Sequence, residues 1–117
     1  MTMSEEVKVV VDAGVCKMKT LITAKENDMG MIDISIRSDC PNILKMSWKL
    51  EPVSAFSEVE AKFSESEIYR LADNTVPHTA CPVPAGIIKA LEVAGDLGLK
   101  RDASIHFLQP GEEVDIS

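Results

Sequence analysis

Apolar residues early in the chain recur at every second position, and from about residue 41 they recur at every third or fourth. Val7 to Val11 is a run of β-branched and charged residues closed by Asp12-Ala13-Gly14, and it predicts a first strand. Lys19 to Lys25 sets Thr20, Ile22 and Ala24 on one face. Met31 to Arg37 does the same with Ile32, Ile34 and Ile36. The stretch "ENDMG" between them carries turn residues, so the two runs predict a hairpin.

The period changes after Ser38-Asp39-Cys40-Pro41. Ile43, Leu44, Ser47, Trp48 and Leu50 predict a short helix stopped by Pro52, because the residue before a proline is pushed out of the helical region. Residues 53–63 follow neither period. In "SESEIYRLA", Ser64 and Glu67 have the spacing of a capping box, and Ile68, Leu71 and Ala72 share a helical face. A third helix opens with Pro84 in its first turn, where a missing N–H costs nothing. Its polar residues Lys89, Glu92 and Asp96 share one face, and almost everything else from Ile87 to Ala94 is apolar. Such a helix is nearly surrounded by protein. Gly95 and Gly98 are placed to close it. A last strand is expected over Ala103 to Leu108, and "QPGEEVDIS" reads as a frayed acidic tail.

The order β-β-β-α-α-α-β predicts an α+β fold, a two-layer sandwich with helices on one face of a mainly antiparallel sheet. A chain of 117 residues suits a single domain with one modest core, about residues 5–109, followed by the tail at 110–117.

Composition then narrows the function classes. The net charge is −7, and lysines and arginines are scattered singly. Nucleic-acid binding relies on neutralising phosphates, so no nucleic-acid partner is expected. No apolar run reaches the ~20 residues that span a bilayer. The start "MTMSEEVKVVV" has acidic residues where a signal peptide needs basic ones, and a cytoplasmic location is expected. Nucleotide-binding and hydrolase signatures such as G-x-x-x-x-G-K-[ST], G-x-S-x-G and H-E-x-x-H are absent.

Candidate chemistry rests on three cysteines. An odd count in a cytosolic chain argues against a disulfide framework. Cys16 follows strand one, Cys40 precedes helix one and Cys81 precedes helix three, so each falls in a connection. Both Cys40 and Cys81 are followed by proline, which starts a helix and fixes the backbone direction. Free N–H groups at a helix start favour the thiolate, the form that binds metal and attacks electrophiles. Three convergent thiolates with an open fourth position suit zinc or a [4Fe–4S] cluster, with His78 as the fourth candidate and Asp12 and Asp39 near by. Two other readings stay open: a thiol-based redox or catalytic protein using Cys81 with Cys40 as resolving partner, and a structural or interaction subunit with packed, inert thiols. A broad apolar helix and an open sheet edge would suit a homo-oligomer. His106, alternating within the last strand, is expected to pack or lie at the surface. The acidic residues Glu58, Glu60, Glu65 and Glu67 are expected on a solvated face.

The segments "DAGVC", "SDCPN" and "ACPVPAGIIKALEVA" together resemble a family of small uncharacterised three-cysteine proteins of methanogenic archaea and some anaerobic bacteria. The likeness runs over nearly the whole chain, and ACPVP followed by I-I-K-x-[LI]-E-V-A is its most specific part. By this resemblance the matched thiols are Cys16, Cys40 and Cys81, with Pro41, Pro82 and Pro84 shaping two of their loops. The family pattern usually continues its first cysteine with Gly-Phe. Lys17 and Met18 stand there in this chain, so the surroundings of that thiol differ. An anaerobic host would fit iron–sulfur chemistry; the resemblance implies no activity.

Overall fold

The computed structural model describes residues 5–116. Residues 1–4 and Ser117, which include the start of the chain and the end of the expected tail, lie outside them. Three strands form first: β1 (Val7–Asp12), β2 (Lys19–Glu26) and β3 (Ile32–Ser38). They make an antiparallel sheet in the order β1-β2-β3, from Val7 opposite Ala24 to Asp12 opposite Lys19, and from Thr20 opposite Ser38 to Glu26 opposite Ile32. The expected alternation holds: Thr20, Ile22 and Ala24 are buried, while Lys19 and Lys25 face solvent. Thr20 brings a hydroxyl into this buried face, and Ser38 satisfies it at 2.7 Å.

Four helices cover that face. They are α1 (Pro41–Ser47), α2 (Ala55–Glu60), α3 (Glu67–Thr75) and α4 (Val83–Ala94), with a single 3-10 turn at Phe63–Glu65. Ile22, Ile32, Ile43, Met46, Ile68, Ile87 and Leu91 are the fully buried centre of one cluster, so sheet and helices share a core. The α+β expectation is met.

Helix α4 lies across β1 and β2. Its approach depends on Gly86, where a Cβ would stand 2.4 Å from Val11 Cγ2. At its far end Gly95 abuts Ala55, where a Cβ would again meet its neighbour at 2.4 Å. Ala55 follows Val53, which bridges Ile32 through Ile32 N–H to Val53 O at 2.7 Å and the reverse bond at 3.1 Å. Helix α4 therefore starts at the Val11–Thr20–Ser38 end of the sheet and finishes at the Glu26–Ile32 end.

Several expectations are corrected. The capping box does not form at Ser64 and Glu67: Ser64 belongs to the 3-10 turn, and the N-cap of α3 is Ser66, whose hydroxyl accepts from Tyr69 N–H. The acidic partner comes from elsewhere. Glu58 of α2 is only 7% exposed and accepts from Ser66 Oγ at 2.7 Å, Glu67 N–H at 2.9 Å and Ile68 N–H at 3.1 Å. Its carboxylate thus meets the free amides of α3, where negative charge is favoured, rather than lying on a solvated face.

Helix α1 ends at Ser47, earlier than expected, and leaves Trp48 76% exposed. At the end of α4 it is Asp96, not a glycine, that takes the left-handed conformation, with φ 62°. Asp96 N–H reaches Val93 O and Leu97 N–H reaches Glu92 O, the paired bonds of a Schellman ending. Gly95 is the C-cap of α4, as expected, and Gly98 lies beyond the helix end against the Glu92 side chain.

The last strand expected over Ala103 to Leu108 does not pair. Among the described residues, everything from Leu99 onward is exposed. The segment runs clear of the body, in keeping with a radius of gyration of 15.1 Å against about 13 Å for a compact chain of this length. Gln109 to Glu112 form a turn, with Gly111 at φ 87° and Glu112 N–H on Gln109 O. The Glu112 carboxylate accepts from Gln109 N–H and touches His106 Nε2 at 3.3 Å, so His106 lies at the surface and the expected frayed tail has local order.

Candidate functional site

The three cysteine-bearing connections share one end of the sheet. β1 ends there at Asp12, opposite Lys19; β3 ends there at Ser38, opposite Thr20; α4 begins there over Val11. Cys16 sits in the turn between β1 and β2, where Lys17 N–H bonds Gly14 O and Ala13 N–H bonds Met18 O. Gly14, at φ 85°, donates to Asp12 Oδ1, and Lys17 itself is at φ 60°. This tight geometry pushes Val15 and Cys16 into solvent.

Cys40 is the N-cap of α1 and Pro41 its first residue, as the Cys-Pro pair predicts. Its N–H donates to Ser38 Oγ at 3.1 Å, and its carbonyl accepts from Leu44 N–H. The thiol makes no capping bond and is half-buried against the core. Cys81 stands one residue before the N-cap of α4, which is Pro82, and it too packs partly into the core. The loop ahead of it curls, with Cys81 N–H on His78 O at 3.1 Å, while His78 faces solvent.

The shared end does not become a shared centre. The three thiols lie apart, and among the described residues no group of three or more His, Cys, Asp or Glu side chains is placed to hold a metal ion. The expected convergence of Cys16, Cys40, Cys81 and His78 within one chain is therefore corrected. The reason is geometric: Cys16 is lifted off on a hairpin tip, while Cys40 and Cys81 are drawn into apolar packing on two different helices.

Beside this end lies an open depression of about 570 Å³ whose lining includes Lys19, Leu21, Arg37, Ser38, Asp39 and Leu44. None of the three cysteines and not His78 lines it. Among the described residues, no helix is long and apolar enough to cross a membrane.

What the sequence reading missed is the segment after α4. Leu99, Ile105 and Phe107 are 82%, 87% and 85% exposed, and Val114 and Ile116 are exposed with them. The alternation in residues 103–108 was a visible signal, since a strand pattern needs a partner edge.

The architecture defines a small α+β protein: a three-stranded antiparallel sheet, one helical layer and an extended apolar segment. The chain belongs to DUF6951, a family of unknown function, which it matches over residues 7–107. The match takes in the three strands, the four helices and the first half of the exposed segment. No curated protein and no solved structure matches the chain.

Proposed function

We propose that this chain works by binding, as a self-associating interaction subunit whose contact surface includes the segment after α4. The observation that carries this reading is the exposure of Leu99, Ile105 and Phe107 on one continuous stretch. Isolated surface apolar residues need no explanation, but several large ones exposed along one unpaired segment support its use as a contact surface. The test is sedimentation of the full chain across micromolar concentrations. Association that grows with concentration is expected; a strict monomer throughout would overturn the reading.

A second reading is favoured by one observation, the arrival of all three cysteine-bearing connections at the same end of the sheet. Because Cys16, Cys40, Cys81 and His78 do not converge within one chain, a zinc or iron–sulfur centre would draw on subsets of them from two copies. Anaerobic purification followed by elemental analysis for iron, zinc and sulfide tests it. Stoichiometric metal lost in both Cys40→Ser and Cys81→Ser supports this reading, and unchanged metal content in those variants would sink it.

A further inference from the structure

The sheet and the segment after α4 are complementary in a way that neither alone reveals. Among the described residues, β1 is an edge of the sheet, with β2 on one side only. Its outer row of N–H and C=O groups is thus a template for another strand. The other edge is less open, because Val53 occupies β3 at Ile32 and α1 packs against it. Residues 103–108 match β1 in length and alternate Ala103, Ile105 and Phe107 with Ser104, His106 and Leu108. The segment's own backbone is also free of sheet pairing among the described residues.

The side chains match as well. On β1, Val9 and Val11 face the α4 layer yet remain half-exposed, while Val10 is open on the other face. A strand beside β1 that turns Ile105 and Phe107 toward α4 would complete the cover of Val9 and Val11, and its Leu108 would lie on the same face as Val10.

Charge selects the direction. A parallel strand brings Lys100 and Arg101 close to Glu5 and Glu6, which precede β1, two positive charges against the one opposing charge of Asp102; among the described residues Glu6 there holds an exposed contact with Lys8 at 3.7 Å. An antiparallel strand would instead carry Lys100 and Arg101 to the far end of β1 and set Gln109 and Pro110 opposite Glu6 and Glu5, with no basic residue there to meet them.

The exit from α4 selects the occupant. The Schellman bonds at Asp96 and Leu97, with Gly98 seated on Glu92, set the direction in which the chain leaves the helix. From there it runs clear of its own sheet. A molecule that presents both a free strand and a free edge is satisfied by a second copy, and reciprocal exchange closes the pair by two-fold symmetry.

We propose that residues 103–108 add as a fourth strand, parallel to β1, on the open sheet edge of a second copy, and that the exchange is reciprocal. This rests on the self-association reading above and specifies its geometry.

The experiment compares the full chain with an Ile105→Asp/Phe107→Asp variant by sedimentation equilibrium. Both side chains are exposed, so the variant keeps its fold, which circular dichroism checks. Dimerisation is expected to weaken by more than about 1000-fold, because reciprocal exchange leaves four large apolar side chains unburied in each dimer. A dimer of unchanged strength would overturn the strand exchange while leaving self-association intact. A monomeric parent chain would overturn both. Amide exchange of the parent supplies an independent reading: slow exchange of residues 103–108 only when dimeric is expected, and slow exchange in a monomer would place the strand on its own sheet and overturn the proposal. Direction is tested by charge reversal. Lys100→Glu/Arg101→Glu should weaken the dimer about tenfold at low salt, and adding Glu5→Lys/Glu6→Lys should restore it. Failure of that rescue would overturn the parallel arrangement.

Discussion

β3 and the segment 103–108 carry nearly the same pattern and meet opposite fates. Ile32, Ile34 and Ile36 alternate with Asp33, Ser35 and Arg37, and they turn into the core while the backbone pairs with β2. Ala103, Ile105 and Phe107 alternate with Ser104, His106 and Leu108, and all of them stand in solvent. Intrinsic preference does not separate the two. β3 follows β2 across a five-residue connection held by Asn27, whose side chain accepts from the N–H groups of Met29 and Met31. That turn delivers the partner strand locally. The later segment emerges from a helix, with no hairpin to hand it an edge. A period-two pattern thus states which face a strand would bury, and topology states whether a partner is there to receive it.

The contrast breaks most sharply by deletion of packing. Ile87→Ala removes a fully buried side chain between α4 and the sheet and should cost about 2–5 kcal/mol of unfolding free energy in a urea titration. Next comes the cap that joins two helices. Glu58→Ala strands the Ser66 hydroxyl and the amides of Glu67 and Ile68, for a loss of about 2–3 kcal/mol by the same titration. Glu58→Gln should recover part of it, since one amide oxygen still accepts.

Gly86→Ala should be smaller but still unfavourable. The added methyl drives into Val11 Cγ2, and Val11 is stiff about χ1, so overpacking of about 1–3 kcal/mol outweighs the ~1 kcal/mol that alanine gains in a helix. Thermal melting reads the net loss. Asp96→Gly runs the other way, relieving a left-handed residue at the exit of α4 for a gain of about 0.5–1 kcal/mol in unfolding free energy. The smallest effect belongs to the exposed segment: Ile105→Ala, at concentrations where the chain is monomeric, should change stability by no more than about 0.5 kcal/mol. A loss comparable with that of Ile87→Ala would mean that the segment packs on its own body, and the comparison with β3 would collapse.

Much of this architecture was legible before any coordinates. The three strands, their inward faces, the hairpin and the Cys40-Pro41 start of α1 all follow from local pattern and turn chemistry. α2 was not legible, because Ala55–Glu60 is a short helix too brief to display a period. The N-cap was misplaced by two residues, since Ser64 has the capping-box glutamate at Glu67 while Ser66 has Tyr69 in that place, and the acidic partner of Ser66 is Glu58, eight residues upstream. The candidate metal site was half legible: sequence order brings all three cysteine connections to one sheet end, but side-chain convergence depends on loop height and helix packing.

The sequence by itself determined the α+β class, the buried face of each strand and the helix starts at the Cys-Pro pairs, because periodicity and proline geometry act within a few residues. Only the tertiary structure decided that Glu58 is buried, that Cys16, Cys40 and Cys81 stay apart, and that residues 103–108 lie free. Each of those outcomes depends on which surfaces distant segments bring together, and hydrogen bonds and apolar burial are satisfied by whichever group arrives.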